Sequence, residues 1–267
     1  MTDVDSERRF GGLRRLYGDA GYRRIRAAHV AVIGLGGVGS WAVEALARSG
    51  VAELTLIDLD HVSESNINRQ VQALGATVGQ SKAQALRERI ADIHPDCVVS
   101  VVEEFVDASN WPGLLKLPAS AVIDACDQVR AKAVVASWAV STGTLYVSVG
   151  AAGGKQRAQA VEVADLADVT HDPLLASMRQ RLRQHHEGAR KGPMKVRCVF
   201  STEAVAAPEA SNASGTVPSG TDGTLNCHGY GSSVSVTATF GMVAAGEVLS
   251  FLAHGSREET RRTVPSS

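Results

Sequence analysis

Apolar residues in this chain come in short unbroken runs separated by longer stretches of helical spacing. The runs His29–Ile33, Leu54–Ile57, Val98–Val102, Ala121–Ile123 and Leu145–Val149 are rich in β-branched side chains. Continuous apolar runs of that length are expected of strands covered on both faces, where no position is left for solvent. Between them, Trp41–Arg48, Lys82 to about Ile93, and Arg130–Ser141 carry helical spacing. Ser81 is placed to cap the second of these helices, and His94-Pro95 to end it. Strands alternating with helices predict an α/β fold with a doubly wound parallel sheet.

After Gly150 the pattern changes. Gly153-Gly154 breaks the chain, and short strands are expected at Ala160–Val163 and Val196–Phe200. Asp172–His186 predicts a basic helix with Pro173 in its first turn. Ala207–Asp222 is rich in Pro, Gly, Ser and Thr, the composition of a mobile loop, closed by Asn226-Cys227-His228-Gly229-Tyr230-Gly231. Val234–Ala253 is apolar for 20 residues, long enough to span a bilayer. Glu247, two threonines, two serines and two glycines within it favour a buried terminal strand and helix, so stable membrane insertion is not favoured and membrane association through 234–253 stays a minor alternative. Residues 1–7 and the tail after Gly255 are expected to be loose, and Arg8–Arg26 to form an arm with a short helix around Leu13–Tyr17. The expected division is an arginine-rich arm over 1–27, a nucleotide-binding domain over 28–255, and a substrate-side insertion over 155–231 with its mobile loop at 207–223.

The organising stretch runs from His29 to Arg69. A strand is followed by Gly34-Leu35-Gly36-Gly37-Val38-Gly39, a helix, a second strand, and then Asp58, 24 residues past Gly34. This Rossmann-like order places a phosphate beside glycines and a helix N-terminus, with an acid to take a ribose hydroxyl. The alternative for the glycines is an ordinary tight turn in an α/β core. Asp60, Asn66, Arg69 and Gln70 lie in the polar loop after the second strand, and Lys82 opens the next helix. Two cations at such a crevice suit a triphosphate better than a dinucleotide, which argues for ATP over NAD. Asp124 and Asp127, at the end of the fourth strand, are candidates to hold Mg²⁺ through phosphate oxygens. Taken singly, each of these residues would pass for half of a surface ion pair.

Composition adds two points. The four cysteines, Cys97, Cys126, Cys198 and Cys227, contain no C-x-x-C pair, so neither a zinc site nor a thioredoxin motif is supported. With a polar, charged N-terminus and scattered thiols, a cytoplasmic location is expected. The net charge of −1 is unevenly spread: Arg8–Arg26 holds seven arginines and one acid, Met178–Arg197 seven Lys/Arg, two His and one acid. Outside these segments 13 basic residues face 26 acidic ones. Two basic segments on an acidic body fit either a polyanionic partner or two solvated helix faces.

Five motifs in order, GLGGVGS, LIDLD, SNINRQ, VGQSK and IDACD, resemble the adenylating fold of ThiF, MoeB and the ubiquitin-activating enzymes across roughly Ala28–Gly150. RFGGLRRLYG, DPLLASMRQRLR, VRCVFSTE and the NC-x-GYGS region narrow the resemblance to the dehydratases of that superfamily that act on threonylcarbamoyladenosine in tRNA. The resemblance implies ATP-dependent activation of a side-chain carboxylate as an acyl-adenylate, then cyclisation with loss of AMP. It implies nucleotide contacts from Gly37 and Asp58, phosphate contacts from Asn66, Arg69 and Lys82, Mg²⁺ at Asp127, and a homodimer in which Arg15 reaches the partner's phosphates. Arg9 or Arg14 are alternatives for that arm residue. It also implies a tRNA partner, and a cysteine-desulfurase or sulfur-acceptor system as a further candidate. ThiF and MoeB carry two C-x-x-C pairs and this chain none, which weighs against the alternative of an adenylating activator of a ubiquitin-like sulfur carrier. Cys227 is the candidate reactive thiol, with His228 beside it, although cyclisation needs none; Cys198 is expected to be buried.

Overall fold

The computed structural model describes residues 5–205 and 230–255. Seven strands form one sheet in the order β3-β2-β1-β4-β5-β7-β6. They are β1 (His29–Ile33), β2 (Glu53–Ile57), β3 (Val98–Val102), β4 (Ala121–Asp124), β5 (Leu145–Val149), β6 (Val161–Asp165) and β7 (Arg197–Ser201). All pairings are parallel except β6 with β7. The helices are α1 (Ser6–Phe10), α2 (Gly12–Arg26), α3 (Gly39–Arg48), α4 (Lys82–Ile93), α5 (Val129–Thr142), α6 (Pro173–His185) and α7 (Val234–His254).

The strand pleat explains why the strand runs are unbroken. Val30 and Val32 point into one core, with Leu54, Leu56 and Ile123 from neighbouring strands and Leu46, Leu86, Phe240 and Val248 from α3, α4 and α7. Ala31 and Ile33 point into the other, with Val122 beside them and Val135, Leu175 and Met178 from α5 and α6. Both faces are covered, so neither demands polar residues.

The second half departs from expectation in one element. The expected strand within Val234–Ala253 is not formed: α7 runs unbroken from Val234 to His254. It is long and apolar enough to cross a membrane by length and composition. Here Val236, Phe240, Ala244 and Val248 are fully buried against the sheet and α3.

The arm also differs. Asp5 caps a first helix at Ser6–Phe10, which starts inside the 1–7 stretch expected to be loose, and α2 extends well beyond Leu13–Tyr17 to Arg26, with a kink at Gly18. Three of its seven arginines donate to carbonyls at or just past the ends of other helices. Arg9 donates to the carbonyls of Asp92 and Ile93 at the end of α4, both at 2.7 Å. Arg24 donates to Leu252 and Ala253 at the end of α7, and Arg26 to Gly50 just past α3. Cations on the orphan carbonyls of a helix C-terminus also meet the negative end of its dipole.

Candidate functional site

The cleft opens at the carboxyl ends of β1, β2, β4 and β5, where strand order reverses and parallel sheets bind ligands. It is a cavity of about 260 Å³. The glycine turn forms its floor. Gly34 holds φ +82°, and a Cβ at Gly39 would lie 1.8 Å from the Gly34 carbonyl oxygen, so these two glycines make the turn itself. Gly36 and Gly37 instead line the opening, and the N–H groups of Gly36, Gly37 and Val38 meet no backbone acceptor among the described residues. A row of unpaired amides ahead of α3 is an anion cradle.

Asp58 follows β2 directly and is held by two amides. Leu35 N donates to one carboxylate oxygen at 2.6 Å and Asp60 N to the other at 2.8 Å. Burial lifts its pKa above the ordinary range, against the pull of the Lys82 charge and both amides. Lys82 donates to Asp60 at 2.7 Å, and Asp60 is itself mostly exposed. The lysine is thus kept at the cleft by a solvated counter-ion that a phosphate can displace. Arg69 is held by the Ser65 carbonyl and Asn68, and its own carbonyl accepts from Trp41 Nε1 at 2.9 Å. Asn66 spends Oδ1 on the Ser63 amide. Gln70 accepts from Gln72, which also donates to the Leu35 carbonyl and so ties this loop to the glycine turn.

Asp127 lines the cleft, exposed and without a protein partner among the described residues. Asp124 does not share that role. It is fully buried, accepting from Tyr146 Oη at 2.6 Å and lying 3.3 Å from Lys132 Nζ. It also accepts from Cys126 N, so it shapes the turn that presents Asp127. Burial raises Cys126 far above its usual pKa, making it a poor nucleophile. Cys198 is buried as expected, and Cys227, His228 and the 207–223 loop lie outside the described residues. No group of three or more His, Cys, Asp or Glu among the described residues forms a metal site. A divalent ion at Asp127 would therefore come with the nucleotide phosphates, as Mg²⁺ usually does.

The sequence pattern does not reveal the rest of the lining. Glu104, Phe105 and Val106 after β3, Gly150–Ala152 after β5, Leu174 on α6 and Thr237 on α7 all border the cleft. Two segments come from far along the chain and are delivered by topology, which motif spacing does not encode. In the basic segment, Arg179 donates to the carbonyls of Leu166 and Val169, Arg183 to that of Ala189, and Arg197 pairs with Glu247. Arg179, Gln180, Arg183, Gln184 and Arg190 still line one groove on the outer side of α6. In the arm, Arg9 is occupied as a cap and Arg14 pairs with Glu7 and Asp19. Arg15 is exposed and makes no hydrogen bond or ion pair among the described residues.

A doubly wound sheet with an amide cradle, two cations and a ribose-type acid defines a nucleotide-triphosphate cleft. The ThiF family profile matches residues 10–265, and the chain belongs to the ThiF family. Within it, the chain is 39% identical over 253 residues to the tRNA threonylcarbamoyladenosine dehydratase of Haemophilus influenzae, covering 93% of this chain and 95% of that one. It is 42% identical over 246 residues to the Escherichia coli enzyme of the same name, covering 90% and 92%. The crystal structure of the E. coli dehydratase TcdA in complex with ATP superposes with a TM-score of 0.84 at 38% identity, covering 98% of this chain and all of that one.

Proposed function

We propose that this chain uses ATP to cyclise threonylcarbamoyladenosine in tRNA. The observation that carries the reading is the cleft itself: Gly36, Gly37, Arg69, Lys82 and Asp58 surround one cavity, in a chain similar along its whole length to an ATP-bound dehydratase. Asp58 holds the ribose. The amides of the glycine turn, Arg69, Lys82, Asn66 and Gln70 hold the phosphates. The side-chain carboxylate of the modified nucleoside attacks the α-phosphorus and pyrophosphate leaves. The threonylcarbamoyl group then closes on the activated carbonyl and AMP departs, carrying the lost oxygen. The cations act where negative charge gathers on the phosphates.

Asp127 fits Mg²⁺, being an exposed carboxylate at the cleft with no protein partner among the described residues. Bound there, the ion would neutralise phosphate charge. The active unit is proposed as a homodimer, with Arg15 of one arm reaching the phosphates of the other subunit. We assign residues 1–27 to that arm, 28–255 to the adenylating domain, and 155–231 to the tRNA side, with the α6 groove meeting the RNA backbone. A tRNA substrate supports a cytoplasmic location. Activation of a ubiquitin-like carrier is not favoured, since the chain matches the dehydratases over nine-tenths of its length.

ATP–pyrophosphate exchange tests the reading. Exchange is expected only with tRNA carrying threonylcarbamoyladenosine. Exchange of equal rate without that tRNA would reject it.

A further inference from the structure

Lys155 is 2% exposed, and none of the chemistry above uses it. All three of its ammonium donors go to backbone carbonyls: Ser201 and Glu203 at 3.2 Å and His171 at 3.5 Å. It therefore bridges the end of β7 and the residue just before the α6 cap. The neighbouring groups lock together. Glu203 accepts from the amides of Gln156 and Arg157, which folds the Lys155 loop back over the end of β7. Asp172 divides its carboxylate, one oxygen capping α6 at Leu175 N and the other accepting from Ala151 N at 2.9 Å. Gly150 passes so close that a Cβ there would lie 2.1 Å from Asp172 Oδ2.

Gly150, Ala151 and Ala152 are the β5 wall of the cleft. In the strand order β2-β1-β4-β5, that wall stands three strand spacings from Asp58, about 14 Å away. A nucleotide with its ribose at Asp58 and phosphates over the β1 turn does not fill the β5 side. That side is left for the carboxylate that attacks. The same wall is tied through Asp172 to α6, the helix whose outer groove carries Arg179, Arg183 and Arg190.

We propose that Lys155 is a positioning residue for the acceptor side of the reaction: it fixes the start of α6 and the Gly150–Ala152 wall in one register, so that a tRNA seated on α6 delivers its carboxylate to the α-phosphate. This rests on the tRNA-cyclising function proposed above. Lys155 itself cannot touch substrate, because it is buried and its donors are spent. Burial lowers its pKa, while the Asp172 and Glu203 charges favour the ammonium form.

The experiment uses the full-length Lys155→Met protein, with hydrogen–deuterium exchange, ATP affinity without tRNA, and turnover of threonylcarbamoyladenosine-bearing tRNA. Faster exchange at 150–152 and at the first turn of α6 is expected, with the glycine turn unchanged. ATP affinity should stay within about twofold, while kcat falls roughly tenfold or more, since small misplacements of reacting groups are costly. Unchanged exchange at 150–152, unchanged turnover, or an ATP affinity that falls in step with turnover would overturn the proposal. Should Lys155→Met not fold, Asp172→Asn keeps the shape, weakens the Ala151 tie and must give the same split. Should the wild-type protein fail to turn over the tRNA, the functional reading falls, and the exchange pattern alone decides whether Lys155 holds the wall.

Discussion

Asp58 shows how one side chain sets a condition on ligand binding. Its carboxylate is held by two amides and half-buried, and that burial lifts its pKa despite the charge of Lys82. A ribose hydroxyl donates best to the charged form. ATP affinity should therefore hold steady at neutral pH and fall as pH drops through this raised value, at a higher pH than an ordinary aspartate would titrate. Asp58→Asn should lose about tenfold or more in affinity at neutral pH, the scale of a hydrogen bond to a charged group, and should flatten the acid limb. Calorimetric titration of ATP across pH checks both; an acid limb unchanged in the variant would assign it to another group. The residues that spacing marks out, Asp58, Arg69 and Lys82, do border one cavity. Asp124 was expected beside them and is instead buried with Lys132 and Tyr146. The motif IDACD offers two acids at the end of a strand, and only the pleat decides which one turns inward.

At the scale of elements, the two basic segments differ from each other in how their arginines are used. In the arm, Arg9 and Arg24 cap the ends of α4 and α7 and Arg26 holds the Gly50 carbonyl just past α3, a role that composition cannot distinguish from a solvated face. The glycines there discourage a helix on propensity alone. Packing against α7 overrides that, and Gly21 is needed because a Cβ would lie 2.9 Å from the Ala253 carbonyl oxygen. In α7 the buried residues recur every four positions, but exposed apolar residues such as Val234 and Met242 on the outer side hide that period in the sequence. Gly241 brings α7 so close to the glycine turn that a Cβ would lie 2.4 Å from the Val38 carbonyl oxygen. In α6, Arg179 and Arg183 spend some donors on carbonyls yet still line the outer groove with Arg190. Replacing Arg179, Arg183 and Arg190 by Gln should weaken tRNA binding and lower the slope of log affinity against log salt by roughly one for each phosphate no longer neutralised. ATP affinity without tRNA should be untouched. An unchanged slope would return α6 to the role of a solvated helix.

At the scale of the whole molecule, the proposal of a site shared between subunits rests on Arg15, which is exposed and without a partner among the described residues, whereas Arg9 and Arg14 are engaged. Arginines supplied in trans contribute ~10³–10⁵ in rate in other phosphoryl transfers. Arg15→Ala and Lys82→Ala should each be nearly inactive alone. Mixed and allowed to exchange subunits, they should recover roughly a quarter of wild-type activity, since half the dimers are mixed and each has one intact site. No recovery despite proven exchange would confine Arg15 to its own chain. The nucleotide half of the cleft was legible because one continuous stretch, His29–Lys82, builds most of it. The acceptor half was not, because β5, α6 and α7 meet there only after folding.

In the proposed reaction the substrate carboxylate is activated by joining the α-phosphate of ATP. Labelling that carboxylate in the tRNA with heavy-isotope oxygen and analysing the products by mass spectrometry tests this step. AMP carrying one labelled oxygen is expected for each cyclised nucleoside, with pyrophosphate unlabelled. Unlabelled AMP, or ADP with labelled phosphate, would contradict it.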